Sequence, residues 1–266
     1  MTSDEREIAV PTLALLRAND RPAVDARPVA PLRPHVGAPN GCAACGSHKF
    51  CLPLDTDGRL DDLVTQRVRV RKGDALLHCG DSFRNLYTVR SGSCKSVVTT
   101  AGGQEQLACY HISGDLVGSE AIYAGKHDAT VTALEDSEFC VIPLDRMESV
   151  ARTDAHLQHA IHALMSREIG RERKVMLMLG AMRAEQRLAT FLLDLAERYA
   201  ARGYSSTAFV LRMTREEIGS HLGLKLETVS RLFSRFHREG LIRVDGREVR
   251  ILDRAALEQL VDAALH

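Results

Sequence analysis

The sequence predicts an α+β fold in which an N-terminal antiparallel β-roll, similar to a jelly roll, leads through one long helix to a C-terminal winged helix-turn-helix. Three observations predict it. Short β-rich runs broken by glycine turns lie between about residues 65 and 142. Helical periodicity then continues from Pro143 to about Gly180. The last third shows a helix-turn-helix pattern followed by two β runs about Asp245-Gly246.

Residues 1–41 are predicted to form a flexible extension, and residues 256–266 a C-terminal helix or tail. Six of the eight prolines precede residue 41, where each fixes φ and removes a backbone donor. We find neither a secretion signal nor an apolar run long enough for a bilayer, so we expect a cytoplasmic chain without membrane contact. Formal charge is zero, from 35 Lys+Arg and 35 Asp+Glu, so any nucleic-acid surface must come from local charge arrangement.

Three of the seven cysteines are crowded at the start of the next region, residues 42–143. Cys42, Cys45 and Cys51 form a C-x2-C-x5-C pattern, by which one segment can deliver three thiolates to one site. In a reducing cytoplasm this favours metal over disulfides, and soft thiolates suit iron–sulfur clusters or zinc. Either centre needs a fourth ligand. Spacing does not choose among the remaining cysteines, which are Cys79, Cys94, Cys109 and Cys140.

The roll itself is predicted from regular turns between short strands. Examples of the β runs are residues 68–70, 86–89 and 130–133, and three of the breaks are Gly-Asp pairs. Evenly spaced turns of this kind are typical of small antiparallel rolls rather than of parallel sheets.

Residues 144–180 are predicted to form one long helix with a dimerisation seam at heptad a/d spacing. The seam comprises Met165, Ile169, Glu172, Met176 and Leu179. Glu172 is unusual there, because the glutamates of two chains would meet and oppose association. Arg171 and Arg173 are expected to offset part of this repulsion. A glutamate that simply faces solvent is the alternative interpretation.

The winged helix-turn-helix is assigned to residues 181–255. Thr214 and Glu217 form a capping-box pair at the start of its first helix. Gly223 then permits the tight turn to a second helix, which is predicted from about Glu227 to Glu239.

One face of that second helix carries side chains suited to base edges in DNA. Glu227, Ser230 and Arg231 share this face at helical spacing. Arginine can bridge guanine O6 and N7, glutamate accepts from cytosine N4, and serine adapts to either. Lys225 and Arg235 are expected to meet phosphates. The alternative is a solvated face with an intrahelical Glu227–Arg231 ion pair.

These features together resemble the FNR branch of the CRP/FNR superfamily of transcription regulators, over about residues 42 to 255. The resemblance is carried by Leu86-Tyr87 with Arg90-Ser91-Gly92, by Gly114 to Gly118, and by Leu226 to Arg231. It implies a β-roll sensor domain and a homodimer that binds double-stranded DNA at a palindrome similar to TTGAT-N4-ATCAA, read by Glu227, Ser230 and Arg231. It further implies a regulator rather than an enzyme, and a contact with RNA polymerase is expected.

The resemblance also implies the cofactor. Cys42, Cys45 and Cys51 match the family's three N-terminal ligands of a [4Fe–4S] cluster, and Cys140 matches the fourth. Family behaviour implies that this cluster promotes dimerisation and DNA binding without oxygen, with control of anaerobic or microaerobic metabolism genes.

Two other functions are weighed against this one. The first is a thiol-redox or zinc-stabilised regulator with the same DNA domain, and the second is an electron-transfer subunit, which lacks support because we find no flavin or dinucleotide glycine motif. A cyclic-nucleotide ligand is not expected. Ser119 follows Gly118 where the nucleotide branch carries Glu, and residues 126–129 contain no Arg-Ser pair for a phosphate.

Overall fold

The computed structural model describes residues 34–35, 42, 45, 51, 63–100 and 102–262. The predicted extension, residues 1–41, therefore lies outside the described residues except for Pro34–His35, and so does the end of the predicted tail, residues 263–266. Among the described residues, no helix has both the length and the apolarity needed to cross a membrane.

The N-terminal domain is an antiparallel β-roll, as predicted. Its strands are β1 (Pro34–His35), β2 (Gln66–Val70), β3 (Ala75–Leu77), β4 (Asn85–Ser91), β5 (Ser93–Thr99), β6 (Glu105–Ile112), β7 (Leu116–Val117), β8 (Ala129–Ala133) and β9 (Ser137–Pro143). One sheet has the order β1-β2-β9-β4-β7 and the other the order β3-β8-β5-β6. A short helix, α1 (Ala121–Ala124), follows β7.

The core of the roll is made by alternate residues of both sheets. Val68 and Val70 of β2 are buried with Val131 and Ala133 of β8 in one apolar cluster. Strand β9 is buried along nearly its whole length, because it lies between β2 and β4 in the middle of its sheet. Its inner face contributes to this cluster, and its outer face is available for a different role.

The helical region after Pro143 is two helices, α2 (Leu144–Ala151) and α3 (Ala155–Ala181). The prediction of a single helix over residues 144–180 is therefore wrong. Asp154 leaves the helical conformation, and its side chain accepts hydrogen bonds from the backbone N–H groups of His156 and Leu157. An aspartate N-cap of this kind starts a new helix.

The C-terminal domain contains the predicted helix-turn-helix and wing. Its elements are α4 (Ala184–Ala201), β10 (Ala208–Val210), α5 (Arg215–Leu222), α6 (Leu226–Arg238), β11 (Ile242–Asp245), β12 (Glu248–Ile251) and α7 (Arg254–Asp262). Strand β10 was not predicted, and it pairs with β12 so that the wing becomes a three-stranded sheet. Helix α7 packs on α4 and its Leu257 is fully buried, so residues 256–262 belong to this domain.

The turn between α5 and α6 forms for the predicted local reasons. The hydroxyl of Thr214 accepts from the backbone N–H of Glu217 at 3.1 Å, and the Thr214 N–H donates to the Glu217 carboxylate at 2.7 Å. Gly223 has a φ of 62°, a left-handed conformation that favours glycine. A Cβ on Gly219 would lie 2.5 Å from the carbonyl oxygen of Leu224, so this close approach also requires glycine.

The two domains share one apolar core rather than meeting at a polar seam. Leu107, Tyr110 and Ile112 of β6 belong to the same buried cluster as the helices of the C-terminal domain. At the edge of this contact, the Leu107 N–H donates to the Ser220 hydroxyl at 2.8 Å. Helix α5 is thereby held against the β-roll.

Candidate cysteine site and nucleic-acid interface

The fourth predicted ligand, Cys140, lies on the outer face of the five-stranded sheet. Phe139 and Val141 flank it on β9 and belong to the core inside the roll, so Cys140 points to the opposite side. The thiol is buried, and Thr88 of β4 is its neighbour in the sheet register.

Cys45 and Cys51 approach Cys140 at this face. Thr88 lies within reach of a side-chain hydrogen bond to both Cys51 and Cys140, and both thiols lie close enough to Cys45 to interact with it electrostatically. Burial raises the pKa of Cys51 to about 12, and burial also raises the pKa of Cys140 despite the opposing effect of Arg67. These thiols are protonated at neutral pH, so any metal that binds here has to displace protons.

Cys42 lies at one end of the same face. It is half-buried against the apolar cluster that includes Leu86 and Ile142, and its carbonyl accepts from the Cys45 N–H at 2.9 Å. At the other end, Arg90 interacts with the thiol of Cys45 and pairs with Glu138. We call this surface, formed by the outer sides of β4 and β9, the cysteine face.

The expected cofactor, a [4Fe–4S] cluster, requires four cysteine ligands within reach of one another. Among the described residues, no three His, Cys, Asp or Glu side chains are grouped so that they could hold a metal ion, and none of the seven cysteines forms a disulfide. The four predicted ligands nevertheless have the chemistry of an iron–sulfur site, because all four are soft sulfur donors.

The other three cysteines lie away from the cysteine face. Cys94 is buried inside the roll, where burial raises the pKa of its thiol well above the ordinary value. Cys109 lies on β6, with its sulfur 4.0 Å from Nδ1 of His111, and Cys79 follows β3. Burial raises the pKa of Cys109 to about 12.

The predicted DNA-reading face of α6 is exposed, while the opposite face is buried. Val229, Phe233 and Phe236 anchor the helix in the domain core. Glu227, Ser230, Arg231, Lys225 and Arg235 are all exposed. Among the residues that the structure describes, neither Glu227 nor Arg231 takes part in an ion pair, so the intrahelical alternative is not seen. Arg235 pairs with Glu185 and Glu239, at 2.7 and 2.8 Å.

Most of the predicted dimer seam on α3 is available to a partner. Ile169 is 51% exposed and Met176 is 72% exposed, which is unusual for large apolar side chains, and Glu172 is exposed between them. Met165 is half-buried. Leu179 differs from the others because it packs against the C-terminal domain, beside Gly223.

Arg171 does not face the seam as expected. Its guanidinium donates to Glu168 at 2.9 Å and to Asp115 at 3.2 Å, so it is turned toward the roll rather than toward Glu172. The prediction that Arg171 offsets part of the repulsion between the Glu172 side chains of two chains is therefore wrong.

Asp115 forms a charged junction that sequence reasoning missed. Its carboxylate has no solvent exposure and contacts Arg171 of α3, Arg198 of α4 and Arg202 at the end of α4, the last two at 2.5 and 2.7 Å. Burial raises the pKa of Asp115, but the three guanidinium groups outweigh this effect and hold the pKa well below its ordinary value. One aspartate thus joins the roll, the long helix and the DNA-binding domain.

Comparisons with known proteins agree with this architecture. Residues 67–154 match the cyclic nucleotide-binding domain and residues 186–260 the Crp-like helix-turn-helix domain. The chain is 49% identical to the transcriptional regulatory protein btr of Bordetella pertussis, covering 83% of this chain and 93% of the relative. It is 38% identical to the fumarate and nitrate reduction regulatory protein of Escherichia coli K12, covering 82% and 89%.

This chain belongs to the FNR branch of the CRP/FNR family. A solved structure with the same fold is FixK2 from Bradyrhizobium japonicum, with 28% identity, a TM-score of 0.67, and coverage of 73% of this chain and 96% of that one. The protein is accordingly a DNA-binding transcription regulator and not an enzyme.

The stretch where the nucleotide-binding relatives hold a phosphate has a different chemistry in this FNR-family regulator. His127 is buried, and its Nδ1 lies 3.1 Å from the carboxylate of Glu120. Burial, with Glu120 nearby, raises the pKa of Asp128. The expectation that no cyclic nucleotide binds stays a prediction, for which this acidic pair is the physical reason.

Proposed function

We propose that this FNR-family regulator senses oxygen through a [4Fe–4S] cluster held by Cys42, Cys45, Cys51 and Cys140. The observation that carries the proposal is the approach of Cys51 to Cys140 beside Thr88 on the cysteine face, with Cys45 close enough to influence both thiols electrostatically. Three of these ligands come from one short segment and the fourth from the middle of a sheet. Occupancy would therefore tie the segment to the roll, and the cluster when bound supplies an oxygen-sensitive link.

Loss of that link would remove support from the start of the long helix α3. Cys42 packs against the apolar cluster that also contains Leu157 and Leu164 of α3. Ordering of the cysteine segment thus supports the start of α3, whose exposed Ile169 and Met176 are the surface for a second chain. We infer that the cluster favours the dimer and that its loss in oxygen favours the monomer.

The dimer is the form that we propose to bind DNA tightly. Two α6 helices would enter successive major grooves of a palindrome similar to TTGAT-N4-ATCAA, with Glu227, Ser230 and Arg231 at base edges and Lys225 and Arg235 near phosphates. Two half-sites bound as one unit give far higher affinity than either alone. The expected outputs, in the cytoplasm, are a contact with RNA polymerase and control of genes for anaerobic or microaerobic metabolism, in agreement with the name of the fumarate and nitrate relative.

Metal analysis of anaerobically purified protein tests the proposal. We expect iron and acid-labile sulfide in the wild type and in Cys94→Ser, which changes a buried thiol on β5 of the opposite sheet, inside the roll. Cys140→Ser should contain neither, because oxygen is a poor substitute for a soft thiolate. Full iron and sulfide in Cys140→Ser would refute the ligand assignment, and zinc in the wild type would instead support the zinc-stabilised regulator.

A further inference from the structure

One face of strand β4 follows the whole cysteine face. Leu86, Thr88 and Arg90 alternate along the strand, so their side chains share its outer side. Leu86 belongs to the apolar cluster against which Cys42 packs. Thr88 contacts Cys51 and Cys140, and Arg90 contacts Cys45. Three of the proposed ligands therefore have a neighbour on this one strand, and the fourth, Cys42, packs against a cluster to which the strand contributes Leu86.

Of these three outward-facing residues of β4, Thr88 has the residue type that is hardest to explain by packing. It is 1% exposed, in the middle of the sheet between Cys140 of β9 and Leu116 of β7. A buried β-branched position is ordinarily filled by valine or isoleucine, since a hydroxyl needs a hydrogen-bond partner there. Cys140 is the cross-strand neighbour of Thr88, and the thiols of Cys51 and Cys140 both lie within reach of its hydroxyl, so we assign this hydroxyl to the site rather than to the core.

We propose that Thr88 is a positioning residue that donates its hydroxyl hydrogen to the sulfur of Cys51 or Cys140 and thereby slows loss of the cluster in oxygen. The inference rests on the proposed function. Hydrogen bonds to the sulfur atoms of such a site are one of the factors that set its reduction potential. A donor stabilises the electron-rich state, because that state places more negative charge on sulfur.

The expected direction follows from the chemistry of oxidation. A bound cluster would supply one electron that molecular oxygen could accept, which would reduce the oxygen to superoxide. A donated hydrogen bond makes that electron harder to remove, so a protein without the hydroxyl should lose its cluster faster. Outer-shell partners of metal ligands commonly change site properties by about tenfold or more.

The test compares Thr88→Val, which keeps the shape and removes the hydroxyl, with Thr88→Ser, which keeps the hydroxyl. Thr132→Val on β8 of the opposite sheet is the matched control. All are purified anaerobically, assayed for iron and sulfide, and then followed by visible absorbance in air-saturated buffer. We expect Thr88→Val to lose its absorbance about tenfold faster than the wild type. Thr88→Ser and Thr132→Val should decay at the wild-type rate.

The possible results separate the two proposals. Equal decay rates for wild type and Thr88→Val, both fully loaded, would overturn the role of Thr88 and leave the proposed function intact. Decay of Thr88→Ser at the rate of Thr88→Val would also overturn it, because the hydroxyl would then not be the active group. A wild type without iron and sulfide would refute both. Folded Thr88→Val that assembles no cluster, beside a fully loaded Thr88→Ser, would support the inference.

Discussion

The DNA-reading helix and the cysteine face differ in how much of each a single chain completes. Helix α6 has its apolar side buried in the domain core and its reading side already exposed. On the cysteine face, by contrast, burial raises the pKa of the Cys51 and Cys140 thiols, so one chain alone holds them in the protonated form. The DNA-reading surface is thus complete in one chain, and in the proposed function the conditional part is the pairing of two chains.

Asp115 joins the roll, which carries the cysteine face, to the DNA-binding domain, which carries α6. Its replacement has the largest expected effect of the three predictions. In Asp115→Ala, Arg198 and Arg202 lose the carboxylate that neutralises them in a buried site. Removing one partner of a buried ion pair costs about 3–5 kcal/mol in free energy of unfolding. Denaturant unfolding should therefore show a marked loss of stability. Asp194→Ala is the control, because Asp194 is an exposed partner of Arg198 at 3.6 Å and should change stability by less than about 1 kcal/mol.

The same junction should depend on pH in a defined direction. The pKa of Asp115 is lower in the folded protein than its ordinary value of 3.8, so the folded state favours the charged form. Its contribution to stability is present above about pH 4 and is lost as the pH falls toward the folded value. The stability gap between wild type and Asp115→Asn should thus narrow in acid. If Asp115→Ala were as stable as the wild type, the Asp115 junction would make no net contribution to stability, and this prediction would be wrong.

The second prediction sharpens the claim that the reading surface is built in. Arg231→Ala should weaken binding to the palindrome by about 1–3 kcal/mol and relax preference at one base pair. Lys225→Ala should weaken binding to all DNA alike and reduce its salt dependence. Competition binding on cognate and scrambled duplexes separates the two effects. Equal weakening of both duplexes by Arg231→Ala would make that arginine a phosphate contact.

The third prediction concerns the dimer seam on α3, which one chain leaves without a partner. Its expected effect on free energy is the smallest of the three. Glu172→Ala should remove a like-charge contact across the seam of about 1 kcal/mol, roughly a fivefold shift in the monomer–dimer equilibrium. We expect a dimer that binds the palindrome even in air. Glu197→Ala, an exposed glutamate on α4, should behave as the wild type. A Glu172→Ala protein that stays monomeric in air would favour the solvent-facing interpretation.

The sequence predicted best those features whose causes lie within a few residues. The capping box of Thr214 and Glu217 spans three positions, and Gly223 marks its turn directly. Asp154 is an equally local signal for the break before α3, but the helical periodicity continues on both sides of it and hides the break. Asp115 could not be predicted, because its arginine partners lie 56, 83 and 87 positions away and are brought together only by the packing of the two domains.

The cysteine face shows the same limit at the site itself. The C-x2-C-x5-C segment is visible in the sequence, but the place of Cys140 opposite Thr88 depends on the register of β9 with β4. Spacing alone therefore left the fourth ligand open, and only the family resemblance assigned it. Thr88 had no signal of its own, since it looks like an ordinary residue of an interior strand, and Arg90 stood out only as part of the family motif and not as a neighbour of Cys45.

The central claim is that oxygen changes the dimerisation of the chain and not the contacts that α6 makes with DNA bases. One sample can test it. Anaerobic wild type with measured iron and sulfide is examined by sedimentation and by binding to the TTGAT-N4-ATCAA palindrome, and the measurements are repeated after exposure to air. The account predicts a dimer that binds tightly before exposure and a monomer with weak, half-site binding afterwards. A dimer whose affinity for the palindrome survives loss of the iron would contradict it.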